Sequence, residues 1–191
     1  CTATVWEAAV MSRAGIEDVL IANQVVGRQK IRTLAQAAER CRLTTAVDHP
    51  RHSDLLEEAM TATGGRLEVL IEIDVGMGRG GVRSVADAVT VARHIAKLKH
   101  VRFRGLQAYE GHCMMEPDRE ARIGKARQAA DLTGEVIGQL AKAGFKCEVV
   151  SGGGTGTYEF TGADPRYTDL QAGSYLLMDM FHGKLVSGFE Q

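Results

Sequence analysis

Short, almost wholly apolar segments alternate along the chain with stretches whose apolar residues recur at helical spacing, and this alternation constrains the fold more than any other feature. Helices are expected over residues 4–14, 28–40, 53–63, 84–98 and 119–143, several of them stopped by a glycine such as Gly15, Gly64 or Gly144. Strands are expected at 18–22, 43–47, 67–74, 101–108, 147–151 and 168–171, with an apolar segment running on to Met180. Strands without a polar face must be covered on both sides, so the pattern predicts a parallel sheet flanked by helices.

Six strands of this kind fit either an open doubly wound sheet or part of an eight-stranded barrel, and the polar residues favour the barrel. Clusters at 23–24, 48–49, 74–81, 109–112, 151–158 and 171–174 each follow the C-terminal end of an expected strand. In a (β/α)8 barrel those loops share one mouth, where active sites form. The expected fold class is therefore α/β, a partial (β/α)8 TIM barrel. A whole barrel takes about 250 residues. This chain has 191 and starts at Cys1, so the first units are expected to be missing.

The 23 basic and 24 acidic residues are interspersed, which argues against a nucleic-acid partner. The longest apolar runs, 67–73 and 174–180, fall well short of the roughly 20 residues a membrane span needs. Cys1, Cys41, Cys113 and Cys147 form no Cys-x-x-Cys pair, which points to reduced thiols in the cytoplasm rather than disulfides or a thiolate zinc site.

The sharpest local signal is Ser151-Gly152-Gly153-Gly154-Thr155-Gly156-Thr157-Tyr158. Glycines after a strand let backbone N–H groups close around an anion, and Thr155 and Thr157 add hydroxyl donors. The segment lacks the ending of a Walker loop and the spacing of a dinucleotide fingerprint, so a phosphate other than ATP or NAD fits best. Gln171-Ala172-Gly173-Ser174-Tyr175 offers a second set of amides one strand later, where barrels often place a phosphate.

Glu72 and Asp74 share a strand face ahead of Arg79, as a structural ion pair or as part of a site. Gln107 and Tyr109 share another, where an aromatic either stacks on a flat ligand or caps the barrel. His49, His52 and the pair His112-Cys113 lack companion ligands at a recognised spacing and are read as loop or surface groups. Trp6 is expected to pack on a helical face with Val5 and Ala9, and Arg102 and Arg104 to form surface or interstrand ion pairs.

Taken in order, Glu7-Ala8, Ala14-Gly15-Ile16, the segments 20–27, 74–82 and 105–109, and the two glycine turns resemble the D-threonine aldolase family. That family includes 3-hydroxy-D-aspartate aldolases and D-serine dehydratases and is related to the N-terminal barrel of alanine racemase. The resemblance implies pyridoxal 5'-phosphate as cofactor. It implies that Gly153, Gly154, Thr155, Gly173 and Ser174 hold the phosphate, that Tyr109 lies against the pyridine face and that Arg79 approaches the phenolic edge. Gln171 would face the pyridine nitrogen, and His112 would be a proton-transfer or supporting group.

The implied activity is retro-aldol cleavage of a D-configured β-hydroxy amino acid to glycine and an aldehyde. Alternatives are β-elimination, as by a D-serine or 3-hydroxyaspartate dehydratase, and a non-catalytic cofactor-binding barrel. The resemblance places the cofactor-bonding lysine upstream of Cys1 and assigns that role to none of Lys30, Lys97, Lys99, Lys125, Lys142, Lys146 and Lys184. It implies a divalent metal (Mg, Mn or Zn) held by a C-terminal β domain, with no metal ligand in this chain. Residues 1–182 are thus expected to be a partial cofactor barrel and 183–191 the start of a link to that domain. The fragment is expected to be inactive alone and the whole protein to be a homodimer acting on a small D-amino acid.

Overall fold

A computed structural model describes residues 1–177 together with Met180 and Gly183. Its elements run α1 (Val5–Arg13), β1 (Asp18–Gln24), α2 (Arg28–Ala38), β2 (Arg42–Val47), α3 (Pro50–Thr63), β3 (Leu67–Glu72), α4 (Val85–Ile95), β4 (Val101–Gln107), α5 (Arg119–Lys142), β5 (Val149–Gly152), α6 (Tyr158–Thr161) and β6 (Asp169–Leu170). Two 3-10 helices, Gly111–Met115 and Ser174–Leu176, complete the set. The link expected at 183–191 lies, apart from Gly183, outside the described residues, as does Lys184.

The six strands form one sheet in chain order, β1-β2-β3-β4-β5-β6, every neighbour parallel. That is the curled half barrel the alternation predicts. Outside β1, Thr2 makes a further parallel bridge to Ile21. The core joins strand residues such as Ile21, Leu43, Val69 and Leu106 to helix residues such as Leu34, Leu56, Ile95 and Leu140. Among the described residues no helix is long and apolar enough to cross a membrane.

Local chemistry sets the helix ends. Thr4 and Glu7 form a capping box on α1, Ser84 accepts from the Asp87 amide at the start of α4, and Asp118 accepts from the Ala121 amide at the start of α5. His49 caps α3 ahead of Pro50, and left-handed Gly64 ends that helix.

Two expectations change. Trp6 is 47% exposed while Val5 and Ala8 are buried, because α1 turns its opposite face to the sheet. α6 and the first 3-10 helix were not expected; each is a single short turn without a hydrophobic period of its own. Arg104 forms an interstrand ion pair as expected: across the N-terminal end of the sheet its guanidinium pairs with both carboxylate oxygens of Asp18 at 2.9 and 2.6 Å and donates to Thr44 at 2.7 Å.

Candidate functional site

The C-terminal ends of β1 to β6 form one rim, because parallel strands deliver all their following loops to the same side. At its β1–β3 end, Gln24 Nε2 donates to Glu72 Oε2 and, at 3.4 Å, to Asp48 Oδ2, which also accepts the Gly81 amide at 3.1 Å. Glu72 is 5% exposed; burial pushes its carboxyl above the ordinary value against the pull of Arg79. Arg79 stands 3.7 Å from Glu72 and 5.9 Å from the centroid of the Tyr109 ring. Asp74, which the alternation puts beside Glu72, instead accepts the Gly76 and Gly78 amides and shapes the loop that carries Arg79.

The end of β4 supplies the middle of the rim. Gln107 is fully buried; its Oε1 accepts from Gln171 Nε2 at 3.2 Å, and its own Nε2 has no hydrogen-bond partner among the described residues. Burial, with the Glu110 carboxylate nearby, raises the Tyr109 phenol above its ordinary value. Glu110 is 1% exposed. His112 packs on Gly76 in the first 3-10 helix, its Nδ1 buried without a partner, and burial lowers its pKa.

At the far end the two glycine turns meet. The Tyr175 amide donates to Thr155 Oγ1 at 3.1 Å, and the Gln171 amide donates to the carbonyls of Gly152 at 2.8 Å and Gly153 at 3.0 Å. A Cβ built on Gly154 would stand 3.2 Å from Tyr109 Oη, so the aromatic ring adjoins the turn. The Gln171 amide is oriented by its neighbours. Ser151 spends its single O–H on Asp169 Oδ1, so its oxygen must accept from Gln171 Nε2 at 2.9 Å, leaving Gln171 Oε1 an acceptor without a donor among the described residues.

One detail of the turn departs from expectation. The amides of Gly153 and Gly154 are already used, on Glu110 Oε2 at 2.9 Å and Thr157 Oγ1 at 3.0 Å, and the Thr157 hydroxyl donates to Glu110 Oε1 at 2.7 Å. Gly153, Gly154 and Thr157 therefore do not offer these donors to an anion. Among the described residues the amides of Thr155, Gly173 and Ser174 have no acceptor within the protein.

Sequence reasoning put Gln24, Asp48 and Glu110 in the strand-end clusters of this rim but gave none of them a role in it. Each is a polar residue at or just past a strand end, and that position was the one signal available. His49 and His52 serve the fold: His49 caps α3 and His52 Nε2 bonds the Val25 carbonyl at 3.0 Å. Of the described lysines, Lys30, Lys125 and Lys142 lie on helices, and Lys97, Lys99 and Lys146 lie in connections that enter strands from the opposite end.

A parallel α/β half barrel with an arginine, a half-buried tyrosine, amide side chains and two joined glycine turns at its C-terminal rim has the form of a ligand-binding barrel domain. The chain belongs to the family described as alanine racemase, N-terminal domain, which it matches over residues 1–180. Over 183 residues it is 39% identical to a D-threonine aldolase of Arthrobacter sp., covering 96% of this chain and 48% of that protein. It is 36% identical over 186 residues to a 3-hydroxy-D-aspartate aldolase of Paracoccus denitrificans (strain Pd 1222), covering 97% and 48%. Among solved structures, a D-threonine aldolase from Filomicrobium marinum superposes with a TM-score of 0.94 at 41% identity, over 97% of this chain and 50% of that one. The chain spans about half the length of the curated relatives it matches.

Proposed function

We propose that this chain is the cofactor barrel of a pyridoxal-phosphate-dependent carbon–carbon lyase that cleaves D-threonine or 3-hydroxy-D-aspartate to glycine and an aldehyde. The observation that carries the reading is the junction of the two glycine turns through Tyr175 and Thr155, with acceptor-free amides on both sides of it. The aldolases among the relatives support the substrate class.

The residues present fit a flat, anionic cofactor. Thr155, Gly173 and Ser174 have amides to give a phosphate, while Gly153 and Gly154 make room for the turn. Tyr109 adjoins Gly154 and offers a ring face, and Gln107 Nε2, near the Glu72 carboxylate but without a hydrogen bond of normal geometry, is a further donor. Arg79, steadied by Glu72, would meet the phenolic edge. Gln171 would turn Oε1 toward the pyridine nitrogen; a neutral amide holds that nitrogen's proton less firmly than a carboxylate would.

When bound, pyridoxal phosphate supplies the electron sink for charge released as the Cα–Cβ bond breaks. The chain's own part is to orient the cofactor and to keep a proton carrier close. His112, whose pKa is lowered by burial, is neutral at physiological pH and so able to accept a proton. The cofactor-bonding lysine is assigned to none of this chain's lysines. The divalent metal (Mg, Mn or Zn) is assigned to residues outside those described. The same reading makes 1–182 the barrel, 183–191 the start of a link to a second domain and the whole protein a cytoplasmic homodimer.

Product analysis tests it. The intact protein, given D-threonine, pyridoxal phosphate and a divalent metal, should release glycine and acetaldehyde. Keto acid and ammonia from 3-hydroxy-D-aspartate, without aldehyde, would replace the aldolase by a dehydratase. Cofactor retained without either product would make the barrel a carrier.

A further inference from the structure

We infer that Glu110 is a positioning residue for the cofactor's phosphate: its buried carboxylate holds the glycine turn in the shape that turn needs. The inference rests on the phosphate reading given above. Glu110 directly follows Tyr109 at the end of β4 and is 1% exposed. Oε2 accepts the Gly153 amide at 2.9 Å, and Oε1 accepts the hydroxyls of Thr157 at 2.7 Å and Thr161 at 2.5 Å. Thr157 Oγ1 in turn accepts the Gly154 amide at 3.0 Å. One carboxylate thus organises the turn and the short helix α6 behind it.

A carboxylate without a cation is a costly group to bury, and among the described residues no lysine, arginine or histidine forms an ion pair with Glu110. What satisfies it is a set of three donors from one segment, the glycine turn and the α6 helix that follows it. A neutral glutamine replaces it only in part, since its single acceptor oxygen can serve either the Gly153 N–H or the two threonine hydroxyls but not both. The effect reaches the phosphate without contact. With the Gly153 and Gly154 amides drawn inward to Glu110 and Thr157, the amide of Thr155 is left over on the same turn. Because Tyr109 and Glu110 are consecutive, the end of β4 also fixes the spacing between the aromatic face and the phosphate turn.

The discriminating measurement compares two ligands, pyridoxal phosphate and pyridoxal, titrated by absorbance into the intact protein. Wild type should prefer the phosphorylated form. Glu110→Gln should lose about tenfold or more of that preference, because one amide oxygen cannot serve both sides of the turn and a buried donor loses its acceptor, with affinity for pyridoxal unchanged. Thr161→Val, which removes one hydroxyl and keeps the Gly153 bond, should lose a smaller part in the same direction. If Glu110→Gln does not fold, Thr161→Val decides by the same ratio. A folded Glu110→Gln protein with the wild-type preference overturns the inference, as does an equal loss for both ligands, which would mark a merely structural residue. A wild-type protein that binds both ligands alike overturns the phosphate reading itself.

Discussion

Tyr175 and Thr155 tie together two turns that are 20 residues apart in sequence: the backbone amide of one donates to the side-chain oxygen of the other at 3.1 Å. Thr155 is 4% exposed and Tyr175 49%, so the contact is half-buried, with its acceptor on the inner side. Replacing Thr155 with valine keeps the shape and removes the acceptor, leaving the Tyr175 amide unpaired at the junction. Thr155→Val in the intact protein should weaken pyridoxal phosphate binding about twofold to tenfold, the usual consequence of losing a hydrogen bond of about 0.5–1.5 kcal/mol. Unchanged cofactor affinity in the titration would remove the junction from the site.

The fold was legible because apolar strands and amphipathic helices are local patterns; all six strands and all five long helices fall where those patterns put them. The rim was legible as a set of strand-end loops, since parallel connectivity alone brings Arg79, Tyr109, Thr155 and Gln171 to one side. Its internal bonding was not. Glu110 acquires its role from Gly153, Thr157 and Thr161, which lie 43 to 51 residues further on. Arg104 likewise finds Asp18 across 86 residues. No periodicity encodes which donor a carboxylate will meet. Trp6 misled for a related reason: helical spacing defines a face but does not say which face turns inward.

Close approach of β4 to β5 makes one glycine indispensable. A Cβ on Gly105 would stand 1.8 Å from the Val149 carbonyl oxygen, which belongs to the backbone of the paired strand and cannot rotate away. Gly105→Ala should therefore destabilise the protein by about 4 kcal/mol or more, into the range that breaks folds. Gly124→Ala, in α5 with open space around its added methyl, should be neutral or stabilising by about 0.5–1 kcal/mol. Urea unfolding of the two variants should separate them clearly; similar midpoints would refute the argument from space.

The four free cysteines differ in reactivity for reasons of burial. Cys113 is fully buried, and burial with the nearby Glu110 carboxylate pushes its thiol up to about 12; burial takes Cys147 to about 11. Cys1 is exposed. The thiolate is the reactive form, so at pH 8 only about one Cys113 in ten thousand would be ionised even if a reagent could reach it. Iodoacetamide should label Cys1 and spare Cys113 until the protein is unfolded, as read by peptide mass spectrometry. Early labelling of Cys113 would mean that the 3-10 helix at Gly111–Met115 opens readily.

The N-terminal floor of the sheet should give the protein an acid-sensitive element. The Arg104 hydrogen bonds, opposed by partial burial and helped by the charge of Arg42, hold Asp18 below its ordinary value of 3.8. A carboxyl whose pKa is depressed on folding binds its proton more readily in the unfolded chain. Its contribution is therefore complete above the ordinary value and is lost as pH falls through the depressed one. Asp18→Asn should cost about 1 kcal/mol at pH 7, a figure kept small because the Asp18 side chain is 47% exposed and solvent screens the pair. The gap from wild type should close as pH drops below 3.8, where Asp18 takes up its proton first in the unfolded chain and only at lower pH in the folded one. Denaturation midpoints measured from pH 7 to pH 2.5 would show this, and a gap that stays constant across the range would mean that Arg104 gains nothing from the charge on Asp18.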